Sequence, residues 1–263
     1  MTANMITKPE RARPTGILIR GAGMEFRDTI RRRRMIRKFE QKPIPDDVLH
    51  RVLEIARHAP SGGFSQGFDF IVLTKPEELE WFYRTTNDPT DPEAFPGREP
   101  NFAPAAIVLP FANKRLYLDR YAQPDKLQFG MDKEENWPVP FWTVDTAMAI
   151  MLILLAAVDE GLGAWYFGIS RGEDDLLREL GVPPSCTMLG VIALGYPSPE
   201  DKPHGSVFAR RRRPYEEMFH FGRWRAGAPS PPLTAAPCLA RIRPTSGLSV
   251  ETGGSTWGLL RAT

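Results

Sequence analysis

The chain has 263 residues, enough to bury one sizeable core, and its 42% apolar and 25% charged residues are an ordinary globular balance. Lys and Arg total 34 against 32 Asp and Glu, so a net charge of +2 does not demand a nucleic-acid partner. Two cysteines, Cys186 and Cys238, and four histidines, His50, His58, His204 and His220, show neither a disulfide framework nor metal-ligand spacing.

Residues 1–23 mix Pro, Gly, Arg and Thr without a sustained period and lack the apolar stretch of a signal peptide, so a flexible arm is expected. The folded body is expected over 24–225, and the Pro-, Ser- and Gly-rich residues 226–263 form a flexible tail. A reducing, cytoplasmic setting fits the cysteine usage.

In chain order, a short helix from Glu25 to about Ile30 leads into the basic run Arg31–Lys38, and Pro43 and Pro45 break the chain. Asp46 is expected to cap a second helix, whose stripe Val48, Leu49, Val52, Leu53, Ile55, Ala56 and Ala59 ends at Pro60. The loop Ser61-Gly62-Gly63 precedes a strand at Phe68–Leu73, and Pro76 opens a short helix with Leu79, Trp81 and Phe82. Residues 85–104 read as a long loop, and Ala105–Leu109 as a buried strand. The pattern assigns no element to residues 111–141, but Tyr117, Tyr121, Phe129, Trp137, Phe141 and Trp142 need a partner surface or a ligand.

Thr143 or Asp145 is expected to cap a long apolar helix ending near Gly161. Its twelve-residue run Ala147–Val158 is too short to cross a bilayer, and no membrane partner is expected. Apolar on every side, this helix should be wholly buried, inside one chain or across a subunit interface. Gly163–Phe167 reads as a strand, Glu173–Leu180 as a helix stopped by Gly181, and Met188–Leu194 as the last core strand. The sum is an α+β fold with a central mixed or antiparallel sheet flanked by helices.

Three places carry chemistry. The basic run would repel itself unless solvent or an anion compensates, and guanidinium groups meet phosphate bidentately. Arg33 and Arg37 converge if this stretch is helical, and Arg210 and Arg212 of a second run share a target if that stretch is extended. Loop 59–67 joins a helix end to a strand, where small residues let a planar ligand approach the backbone, with Ser61 and Gln66 as polar partners. Gly161 suits a helix cap, and Gly168 can offer its N–H to a ligand. No dinucleotide glycine pattern and no protein nucleophile with an activating base is found, which leaves the chemistry to a cofactor. The basic runs would also suit nucleic acid, but no DNA-binding motif accompanies them.

The order of these segments resembles the FMN-dependent nitroreductase family. The resemblance rests on Arg33-Arg34-Met35-Ile36-Arg37-Lys38-Phe39, then Pro45 and Leu49, then Ala56-Arg57-His58-Ala59-Pro60-Ser61. It continues through Phe64-Ser65-Gln66-Gly67-Phe68, Gly161-Leu162-Gly163 with Gly168, and Gly195-Tyr196-Pro197 with the run Arg210–Pro214. It implies a nitroreductase-like fold with the long helix at a homodimer interface. It also implies an FMN site in which Arg33, Arg34, Arg37, Arg210 and Arg212 clamp the phosphate or ribityl chain. Pro60, Ser61 and Gly62 would lie against the ring, Gln66 would bond the ribityl or ring edge, and the Gly168 N–H would face flavin N5. Met35 stands where the family commonly has Ser, and Phe64 where it commonly has Asn, so these two positions depart from the pattern. The implied activity is transfer of reducing equivalents from NADH or NADPH to an electron-poor small molecule such as a nitroaromatic or quinone. The alternatives are a reductive dehalogenase or metabolite dehydrogenase of the same family, or a flavin- or nucleic-acid-binding protein with little turnover.

Overall fold

A computed structural model of the chain describes residues 23–87, 103–202 and 210–224. The chain divides into two compact units, Met1–Pro203 and His204–Thr263. In the first unit the helices α1 (Phe26–Arg32), α2 (Asp46–Glu54), α3 (Pro76–Thr86), α4 (Lys114–Tyr121), α5 (Phe141–Asp159) and α6 (Glu173–Glu179) surround one sheet. Its strands are β1 (Phe68–Leu73), β2 (Ala106–Asn113), β3 (Gly163–Phe167), β4 (Cys186–Met188) and β5 (Val191–Gly195). The described part of the second unit holds the short helix α7 (Tyr215–Met218). Much of the expected 85–104 loop lies outside the described residues, as do the arm through residue 22 and the tail from residue 226.

The sheet order is β1-β2-β5-β3, with β4 also paired to β2, and every strand pairing is antiparallel. A single parallel bridge, Met35 to Ala164, adds the basic segment to the outer edge of β3. The side-chain alternation of the strands fills two cores. Ala106, Val108, Ile192 and Leu194 face α2 and α5, while Ile107, Leu109, Phe111, Val191 and Ala193 face α3 and α6.

Several expected boundaries move, for physical reasons. The strand expected to stop at Leu109 runs through Pro110 to Asn113. Pro110 has no N–H to donate, and it sits opposite the break between β5 and β4, where its carbonyl accepts from Leu189 N. That same break divides the expected strand Met188–Leu194 in two at Gly190, whose φ of 108° side-chain-bearing residues rarely adopt. Pro45, not Asp46, occupies the cap position of α2, and Asp46 is its first helical residue. The long helix begins at Phe141, so Thr143 and Asp145 lie inside it and cap nothing.

α5 is also less buried than its composition suggests. It is long and apolar enough to span a membrane by length and composition, and half of that stretch is buried against its own chain. Ala149, Ile153 and Ala157 pack inward, whereas Val144, Met148 and Met151 are 39%, 40% and 47% exposed. Full burial is therefore not reached within one chain.

Candidate functional site

α1 ends at Arg32, and Arg33 leaves the helix at ψ 117°, so the expected helical convergence of Arg33 and Arg37 is replaced by an extended segment. Ile36 N donates to Ala164 O at 2.9 Å, and Tyr166 N donates to Met35 Sδ at 3.4 Å, which lays the segment along the edge of β3. The approach is close enough that a Cβ on Gly163 would come within 2.7 Å of the Ile36 side chain. Met35 thus turns its sulfur to the β3 backbone and packs against the α5 core.

Asp201, which the sequence pattern did not single out, fixes this segment. Its Oδ1 accepts from Arg37 N at 2.7 Å and Lys38 N at 2.9 Å, and its Oδ2 takes the Arg34 guanidinium. Burial pushes the Asp201 carboxyl up, but the two N–H groups and Arg34 outweigh it and hold the carboxyl below the usual range. Arg34, expected in a phosphate clamp, is therefore committed to a buried carboxylate. Arg31 meets Asp28 at 3.5 Å on the surface. Arg33 and Arg37 have no carboxylate partner among the described residues, and the Arg37 guanidinium lies 5.6 Å from the Trp165 ring centre. Guanidiniums without a carboxylate partner are suited to a dianionic phosphate. A cleft of about 250 Å³ opens at this segment, lined by Arg32, Arg34, Gly161, Leu162, Gly163 and Pro197, while Arg33 and Arg37 lie outside its lining. Gly168 is exposed, just beyond the last residue of β3. Ala164 O and Tyr166 N bond toward the outer edge of β3, and the same alternation carried one step further presents Gly168 N there.

The second place is the loop after α2. Pro60 is exposed and Ser61 and Gly62 are half-buried. Phe64 and Gln66 both adopt left-handed φ, 56° and 51°, uncommon for residues with side chains. Four hydrogen bonds impose that shape. Gly62 N donates to Asp145 Oδ2 at 2.8 Å, Gln66 N to Ser61 Oγ at 2.9 Å, Ser65 Oγ to Gly62 O at 2.6 Å, and Arg120 Nε to Gly63 O at 3.0 Å. Ser61 accordingly bends the loop, and Phe64 is thrust out, 75% exposed.

Asp145 is buried and also accepts from Tyr117 Oη at 2.6 Å. Burial, reinforced by the Asp145 carboxylate, pushes the Tyr117 hydroxyl far up, so it stays a donor. Around Tyr117 the aromatic residues that carried no sequence assignment form a cluster: Trp137 packs against Tyr117, Tyr121, Phe141 and Trp142 at centroid distances of 4.9–5.8 Å. A second cleft, of about 390 Å³, opens between this cluster and Gly62.

These two places are not brought together within one chain. Gly62 is tied to Asp145 in the second turn of α5, whereas Met24 N, at the entry to the basic segment, donates to Asp159 Oδ1 at the far end. At 1.5 Å rise per residue those anchors are about 20 Å apart. Neither cleft is lined by residues of both places. Arg210 and Arg212 are exposed in the second unit, in the stretch before α7. Among the described residues no cluster of His, Cys, Asp or Glu could hold a metal ion.

The class is defined by sequence comparison as well as by shape. Residues 30–196 match the Nitroreductase family. The chain belongs to that family. It is 30% identical over 171 residues to a protein of Archaeoglobus fulgidus named as a putative NADH dehydrogenase/NAD(P)H nitroreductase, a match covering 64% of this chain and 83% of the relative. It is 23% identical over 197 residues to an NADPH-dependent oxidoreductase of Staphylococcus aureus, covering 75% of this chain and 73% of that one. Its fold is shared with a putative nitroreductase of Desulfovibrio desulfuricans solved in complex with FMN, at TM-score 0.53 and 22% identity, over 78% of this chain and 100% of the other. NfrA1 of Bacillus megaterium gives TM-score 0.57 at 20% identity, over 77% of this chain and 76% of that one.

Proposed function

We propose that this chain is a homodimeric, FMN-dependent oxidoreductase that passes reducing equivalents from NADH or NADPH to an electron-poor organic molecule such as a nitroaromatic or a quinone. The observation that carries this reading is the basic segment laid along the edge of β3, where Arg33 and Arg37 have no carboxylate partner among the described residues and Gly168 is the next open position. Family membership and the names of the relatives support the redox chemistry. FMN, when bound, would supply two-electron redox chemistry between the nicotinamide and the acceptor.

The residues of the chain have the tasks of binding, orienting and excluding water. Arg33 and Arg37 hold the phosphate. Asp201 and Arg34 keep the segment flat against β3, and the Gly168 N–H offers a donor to the ring edge. Pro60, Ser61, Gly62 and Phe64 would cover the ring from a second copy, because in their own chain they stand at the other end of α5. The exposed stripe Val144, Met148 and Met151 is the surface on which that copy would pack.

Purified protein tests the reading directly. Yellow absorbance that bleaches anaerobically with NADH or NADPH and returns on adding a quinone or nitroaromatic is the expected result. A protein that takes up no FMN, or whose flavin ignores both nicotinamides, would overturn it.

A further inference from the structure

The second cleft has a chemistry of its own. Its walls are the rings of Tyr121, Phe129, Trp137 and Phe141, with Gly62 at one side and Lys126 at the rim. The Lys126 ammonium stands 5.7 Å from the Tyr121 ring centre and 5.3 Å from that of Phe129, so its charge lies over the basin. We propose that this basin is a subsite for a planar aromatic monoanion, stacked among the rings with its carboxylate or phenolate on Lys126.

Three features favour an anion. First, Lys126 has no carboxylate partner among the described residues. The neighbouring Asp125 is taken by Arg120, which grips it through two bonds of 2.8 and 2.7 Å. Second, that same Arg120 donates its Nε to Gly63 O, which ties Gln123 and Asp125 to the 61–66 loop, and Lys126 and Gly62 line the same cleft. Third, the basin is built before any ligand arrives: Trp137 Nε1 donates to Met131 O at 2.8 Å, so its N–H asks nothing of a ligand while its ring lines the cleft. A cavity of about 390 Å³ suits one or two fused rings. A neutral ring would gain the stacking but leave Lys126 unmatched, and a cation would be repelled. The subsite deepens the oxidoreductase reading and rests on it in one respect: a ring held at Gly62 is a useful acceptor only if the flavin lies against Pro60–Gly62.

The test is calorimetric titration of the full-length, flavin-loaded protein with 4-nitrobenzoate and with its neutral counterpart 4-nitrobenzamide. The expected result is binding of the benzoate about tenfold tighter than the amide. Lys126→Gln should abolish that preference without weakening the amide, and Lys126→Arg should keep it. In turnover, Lys126→Gln should raise KM for the benzoate and leave kcat unchanged. Equal affinity for both ligands, or a preference that survives Lys126→Gln, overturns the proposal. Binding and flavin reduction are read separately. A benzoate preference in a protein whose flavin does not bleach supports the subsite and sinks the oxidoreductase reading. Normal bleaching without the preference sinks the subsite alone.

Discussion

Replacing Arg34 by alanine strips the charged partner from Asp201, whose side chain is 2% exposed, while Arg34 itself is 38% exposed. Hydrogen bonds to charged groups are worth about 1.5–3 kcal/mol, and the exposure of Arg34 argues for the lower end, so a loss of about 1.5 kcal/mol is expected in urea unfolding. Arg33→Ala removes a group with no carboxylate to stabilise, so stability should change by less than about 0.5 kcal/mol. Its effect should fall on flavin affinity instead, weakened about tenfold or more in a fluorescence titration. Asp201 makes a further prediction, in pH. Its carboxyl titrates lower in the fold than in the unfolded chain, so the unfolded state binds more protons between the two values. The stabilisation is present above the unfolded value of about 3.9 and disappears as pH falls through the folded one. Asp201→Asn should therefore be less stable than the parent at pH 7, with the gap closing below about pH 4. A gap that stays constant across an acid titration of the melting temperature would contradict the role given to this carboxylate. Arg33 and Arg34 look alike in sequence, and only Asp201, 167 residues on, assigns them different work. No local pattern can reveal that.

At the scale of elements, the loop between α2 and β1 takes its shape from α5 and α4. Asp145→Ala leaves two donors, Gly62 N and Tyr117 Oη, without their acceptor in a buried setting, at a cost of about 2 kcal/mol or more. Tyr117→Phe removes one bond and leaves the other, so its cost should be about 1 kcal/mol. Denaturant titration of both variants checks the ratio, and a Tyr117→Phe variant as unstable as Asp145→Ala would mean that the carboxylate does not organise the loop. Most helices were legible because their apolar spacing is regular, as with Val48, Leu49, Val52 and Ala56 in α2. Asp145 shows where that reading stops. A single acidic residue near the start of an apolar helix looks like a cap, yet the helix begins four residues earlier at Phe141 and the carboxylate turns inward to bind a loop. The signal was present, since an Asp deep in an apolar turn needs partners, but the partners lie 28 and 83 residues away. The aromatic stretch 111–141 was opaque for a related reason. Its helices and turns are short, and its order comes from rings packing on Trp137 and not from any period.

For the whole molecule, the family was legible from the order of its motifs, whereas the way those motifs meet was not. The basic segment and the 61–66 loop, which the resemblance set around one flavin, are anchored at opposite ends of α5 within one chain. In the proposed dimer, two such half-sites would become one full site if a second copy were turned end for end and packed along the same helix, since the loop of one copy would then face the basic edge of the other. α5 supplies a surface for that arrangement: Val144, Met148 and Met151 recur at the spacing of a single helix face and are exposed in the isolated chain. Introducing Met148→Lys and Met151→Lys together would place two unpaired charges in that face, and burying such groups costs several kcal/mol, enough to weaken self-association by about a hundredfold or more. Neither residue belongs to the core clusters of the chain, so the monomer should remain folded. Light scattering is expected to report a monomer, with circular dichroism unchanged and flavin lost, because on the proposed arrangement each monomer would retain only half of each site. A monomeric variant that still binds FMN at parental affinity would show that one chain holds the whole site, and the end-to-end geometry of α5 would then have no bearing on the cofactor.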